Sequence, residues 1–185
     1  MSSRGEAAMT PAEPVPITLE GPDIGVSLRL AWDRSAAESL AMTEAGGAAE
    51  SPWLVEGELD WQATEGLRLV SAVFEDGRAL ALAALRPRGA PGHDRDATAC
   101  RLEESGEPLG LIDALLSTEY DANGLPRRIG VELWTEADAP PARAAADREG
   151  DVQLGGSGIH RELARMSFRL EGSGGIGTYE LLRAK

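Results

Sequence analysis

The chain has 185 residues, 42% of them hydrophobic and only 4% aromatic, with one cysteine and two histidines. That length suits one domain with a core built mainly from small aliphatic side chains. Its 31 acidic and 18 basic residues leave a net charge of −13, which disfavours phosphate backbones and anionic membrane surfaces as partners. A single cysteine excludes an internal disulfide and a cysteine-rich zinc site, and two histidines leave little for any other metal.

Residues 1–16, with Pro11, Pro14 and Pro16 among Ala, Ser and Glu, read as a disordered leader without an apolar targeting core. Residues 17–185 read as one domain. With no apolar run of about eighteen residues, no membrane insertion is expected and a cytoplasmic location is the default. Asp23 to Trp32 alternates Ile24, Val26, Leu28, Leu30 and Trp32 with smaller or polar residues, the pattern of a half-buried strand. Asp33 to Pro52 reads mainly as a loop, with at most a short helical turn over Ser35 to Thr43 before Gly46-Gly47. Trp53 to Trp61 alternates again.

Gly66 to Arg86 predicts a hairpin around Asp76-Gly77, a dipeptide that suits a primed turn. Its strands are apolar on both faces, which places them at the centre of a sheet. After the loop Pro87–Asp96, Ala97 to Glu103 is a weaker strand. Leu109 to Tyr120 fits a short helix or a strand, and its neighbours favour a strand. Asp121 to Pro126 is a dense turn signal. Arg127 to Thr135 turns Ile129, Val131 and Leu133 to one side. Ala142–Arg148 and Asp151–Leu154 read as edge strands around Pro140-Pro141.

The last third is the most informative part. From His160 to Leu170, Met166, Phe168 and Leu170 share one parity, and Arg161, Arg165 and Arg169 the other, so the two sets lie on opposite faces of a strand. A glycine-rich turn starting at Gly172 then returns the chain into Thr178–Leu182 and lets strands cross closely. The total is about nine to ten strands without βαβ alternation, an all-β antiparallel barrel, half-barrel or sandwich.

Motifs for chemistry are sparse. Gly172, Gly175 and Gly177 invert the dinucleotide fingerprint and are followed by a strand, so no nucleotide cofactor is expected, nor any other cofactor or metal. No nucleophile elbow is present. Cys100 reads as a small buried hydrophobe. His93 sits in a polar loop. His160 opens its strand, where it is a candidate acid or base at a barrel mouth. Asp60, Asp113, Glu132 and Glu180 are carboxylates flanked by hydrophobes; Glu132 and Glu180 are the candidates for proton transfer if their strands turn them into an apolar interior. Trp32, Trp53, Trp61 and Trp134 are the large anchors.

Tyr120-Asp-Ala-Asn-Gly-Leu-Pro-Arg127 with Ile-Gly-Val-Glu-Leu-Trp134, then Phe168-Arg-Leu-Glu-Gly172 and Gly175-Ile-Gly-Thr-Tyr-Glu180, together with Ser71-Ala-Val-Phe-Glu-Asp-Gly-Arg78, resemble the C-terminal lipocalin-like domain of the carotenoid hydratase (hydroxyneurosporene synthase) and AttH-like group. The resemblance spans roughly residues 53 to 183. It implies a calycin-like barrel with an internal cavity for a terpenoid or other lipophile. The lining expected for that cavity is Trp61, Phe74, Trp134, Phe168 and Tyr179. Many relatives carry a histidine-bearing stretch where this chain has Asp60-Trp-Gln-Ala-Thr-Glu-Gly66, so no catalytic residue is carried over from them.

The leading expectation is therefore binding of an apolar small molecule in the barrel. A hydratase or isomerase using Glu132 or Glu180 is the alternative. A third is a half-barrel that pairs with a second copy or a companion domain on another chain.

Overall fold

The computed structural model describes residues 13–19, 28–44, 47–92 and 95–185. Among these, a small antiparallel sheet joins β1 (Val15–Ile17), β2 (Arg29–Trp32) and β3 (Trp53–Glu56) in that order. A helix, α1 (Arg34–Ala41), follows β2. The nine strands of the large sheet are β4 (Thr64–Phe74), β5 (Arg78–Pro87), β6 (Ala97–Glu104), β7 (Glu107–Leu109), β8 (Asp113–Tyr120), β9 (Pro126–Trp134), β10 (Ala142–Gly155), β11 (Ile159–Leu170) and β12 (Ser173–Ala184). Their spatial order is β7-β6-β5-β4-β12-β11-β10-β9-β8, and every pairing is antiparallel. The all-β half-barrel expected from the alternation is present.

The sheet is curled. Leu102 of β6 and Leu116 of β8, near its opposite ends, belong to one buried cluster with Val70, Leu80, Ile129, Met166 and Tyr179. Backbone ladders do not close the seam between β6 and β8; side chains do. Thr98 Oγ1 donates to the Ala114 carbonyl at 3.2 Å. Arg68 of β4 donates to the Leu116 carbonyl at 3.1 Å and to Thr118 Oγ1 at 3.0 Å.

Alternation places Leu80, Leu82 and Ala84 on the concave face and Ala79, Ala81, Ala83 and Leu85 on the convex one, and both sets are buried. The convex set is covered by the small sheet: Leu30, Trp32 and Trp53 pack there with Leu67 and Leu69. Trp32 Nε1 donates to Ser71 Oγ at 2.9 Å, which satisfies the indole inside this layer. β4 and β5 are thus central, as their two-faced apolarity predicts.

The short helical turn expected over Ser35 to Thr43 is the helix Arg34–Ala41, and the described residues from 42 to 52 carry no helix or strand, as the loop reading expects. Asp33 caps the helix by accepting from the Ala36 N–H at 3.1 Å, and buried Arg165 donates to the Leu40 and Thr43 carbonyls at 3.1 and 2.9 Å. The Leu40 carbonyl also accepts from the Thr43 N–H at 3.1 Å, so Arg165 adds a tertiary partner to the end of the helix. Several expectations are corrected. Residues 142–155 form one interior strand between β9 and β11, not edge strands; an irregularity between Glu149 and Gln153 interrupts its alternation. The Asp76-Gly77 hairpin has a three-residue loop in which Gly77 alone takes positive φ (87°). The primed geometry lies at Glu171-Gly172, where φ is 48° and 93° and Leu170 pairs directly with Ser173. Gly174, Gly175 and Gly177 therefore belong to β12 rather than to a turn. β3 ends at Glu56, so Trp61 stands in a turn and not on that strand. Val15 and Pro16, read as leader, are in β1. Residues 23–27 of the residue 23–32 strand reading and all of residues 1–12 lie outside the described residues.

Candidate functional site

A cleft of about 690 Å³ lies between the small sheet and the convex face of β11 and β12. Trp53, Val55, Leu59 and Trp61 line one side, and Ile159 and Leu182 the other. The cleft also contains an ion pair whose carboxylate is buried. In the β11–β12 ladder Arg161 lies opposite Leu182 and Leu163 opposite Glu180, so Arg161 and Glu180 are diagonal neighbours on the convex face. Arg161 Nε donates to Glu180 Oε1 at 2.6 Å, and the Glu180 side chain is 3% exposed. Ser51 Oγ donates to the other carboxylate oxygen and accepts from the Trp53 N–H at 3.1 Å. The acid thereby ties β12 to the start of β3.

A second polar cluster occupies one end of the concave face. Glu162, fully buried, takes His160 Nε2 at 2.9 Å and Arg183 Nη2 on its Oε1. Its Oε2 has no partner among the described residues. Arg68, also buried, is ion-paired with Asp96. A small pocket of about 270 Å³ is lined by Arg68, Arg183 and Tyr120. Burial pushes the Tyr179 hydroxyl well above the ordinary tyrosine range, so it serves as a neutral hydrogen-bonding group toward Thr118 Oγ1 at 3.3 Å.

The residues singled out in the sequence are scattered by the fold. Phe74, Phe168 and Tyr179 are core side chains on the concave face, the two phenylalanines meeting edge to face with centroids 6.2 Å apart. Trp61 lines the inter-sheet cleft. Trp134 ends β9 half-buried, opposite Asp113. Glu132 is on the outer face and accepts from Arg143 Nε at 3.0 Å. Glu180 is in the cleft, and both acids act as acceptors from arginine. Asp60 and Asp113 bond local backbone amides at 2.9 and 2.8 Å. Cys100 packs against the concave core from β6, and burial pushes its thiol up to about 12, which leaves it a poor nucleophile. Among the described residues, no group of three or more His, Cys, Asp or Glu is placed to hold a metal. His93 lies outside the described residues.

Arg161, Glu162, Arg68 and Asp96 were not singled out by sequence. The signal for Glu162 exists: it shares the parity of Met166 and Phe168, a carboxylate on an otherwise apolar face. Arg161 carries no such signal, since it falls with the other arginines of the outer face. In comparisons with known proteins, neither a family model nor a curated protein matches this chain.

Proposed function

We propose that this protein binds a lipophilic small molecule, and that it does so in the cleft between its two sheets rather than in the lumen of the curled sheet. The observation that carries this reading is the cleft itself: about 690 Å³, a volume typical of small-molecule sites, walled by two tryptophans and aliphatic side chains with a few polar groups. The concave face, by contrast, is occupied by its own side chains, Phe74, Leu80, Met166 and Tyr179 among them. The lipocalin-like resemblance of residues 53 to 183 points to the same ligand class and differs only in where the ligand sits.

Trp53 and Trp61 provide a built-in reporter. Pyrene, an uncharged hydrocarbon that accepts excitation energy from tryptophan, is titrated into the full chain. Saturable energy transfer is expected, weakened about fivefold or more in Trp61→Ala, by the loss of one large apolar contact. Trp61 stands in a turn and its backbone carbonyl, which accepts from Arg88 at 2.8 Å, survives that change. Equal pyrene affinity in wild type and Trp61→Ala, or no saturable transfer, overturns the reading.

A further inference from the structure

We infer that the cleft selects a neutral lipophile bearing one hydrogen-bond acceptor, such as a ketone or ester carbonyl, and discriminates against carboxylates. This rests on the inter-sheet cleft being the binding site.

Arg161 carries the inference. Its side chain is 37% exposed and it lines the cleft. Its Nε donates to Glu180, and Glu180 is its only hydrogen-bond partner among the described residues. A guanidinium stays charged, and its fixed fork sets one Nη N–H alongside Nε–H on the Glu180 side and points the other three N–H donors away from it. Glu180, buried and held in turn by Ser51, anchors that orientation. The result is a positioned donor at the polar end of an apolar cleft, suited to one oxygen of a bound molecule.

Charge decides which oxygen. The charged residues lining the cleft are Arg161, Glu180 and Glu58, one cation against two carboxylates. On its other side Arg161 borders a second hollow, whose only other charged lining residue is Glu50. A ligand carboxylate would add another negative charge to a site already short of positive charge, and would surrender hydration to do so. A carbonyl takes the same donors without that penalty. The net charge of −13 on the chain acts in the same direction at low salt.

The test displaces bound pyrene with matched twelve-carbon probes. 2-Dodecanone is expected to displace it at a concentration at least tenfold lower than dodecanoate. In Arg161→Met/Glu180→Gln, which removes both members of the pair so that no buried charge is stranded, that preference should fall to twofold or less. Dodecanoate competing as well as the ketone, or a ketone preference that survives in the double variant, overturns the inference while leaving the cleft as the site. Loss of pyrene binding altogether, or insensitivity of pyrene to Trp61→Ala, removes the cleft reading and this inference with it.

Discussion

Asp121 closes the turn between β8 and β9 almost alone. Its Oδ1 accepts from the Asn123 and Leu125 N–H groups at 2.9 and 3.0 Å, and Oδ2 from Arg148 Nη1 at 3.1 Å. These donors, the Leu125 amide foremost, hold its carboxyl below the ordinary value of 3.8. A carboxyl depressed in the folded state stabilises the fold above its unfolded value and loses that contribution as pH falls through the folded one. Asp121→Asn keeps an acceptor for the amides and loses the charge facing Arg148. It should be less stable than wild type at neutral pH, and the gap in urea midpoint should close between about pH 5 and pH 2. A gap independent of pH would show that the charge contributes nothing. This turn is legible in the sequence because Asp-Ala-Asn-Gly is a local signal. The Arg161–Glu180 pair is not, because it depends on which residues of two strands lie diagonal to each other.

At the scale of elements, the glycines of β12 show where a periodicity reading loses its grip. A strand announces itself by alternating side chains, and Gly174, Gly175 and Gly177 have none, so a strand segment reads as a turn. The close crossing that glycine permits is nevertheless real. A Cβ on Gly177 would overlap the Ser71 carbonyl oxygen and stand 2.8 Å from Ala72 Cα. One on Gly175 would be 2.7 Å from the Val73 carbonyl oxygen. Gly177→Ala should therefore cost more than about 2 kcal/mol, because backbone on β4 has to yield. Gly172→Ala should cost about 1 kcal/mol, since that position has open space and only its positive φ of 93° to offend. Urea denaturation of the two variants reads the difference, and equal costs would mean that β12 and β4 separate easily. The sequence shows no more than a short helical turn at α1, for another reason. It is eight residues long, too short to hold itself, and its C-terminal carbonyls are met by Arg165, more than a hundred residues later. β10 escaped as one strand because its irregularity after Glu149 breaks the alternation in two.

At the scale of the molecule, the central strands are held from both sides and the sheet ends are not. β4 and β5 are covered by the small sheet outside and by the core within, which made them the most legible elements. The seam between β6 and β8 has no sequence signal, because it is made by Arg68 reaching across the interior. That residue ties three elements: it is ion-paired with Asp96 ahead of β6, and bonds Leu116 and Thr118 of β8. Arg68→Met alone strands Asp96, whose side chain is 1% exposed and whose nearest other cation is Arg86 at 3.7 Å; it should cost about 3 kcal/mol or more. Arg68→Met/Asp96→Asn removes the stranded charge and should recover most of that loss while leaving the seam without its bridge. Native-state hydrogen exchange on the double variant then separates local from global effects. β8 amides should lose protection by about tenfold or more, corresponding to about 1.4 kcal/mol of local opening, while β11 and β12 amides keep theirs. β8 has one ladder partner, β9, and gains the rest of its polar attachment from side chains of β4, β6 and β12. A uniform loss across all strands would instead mean that the curled sheet opens only as a unit, with the seam no weaker than the ladders.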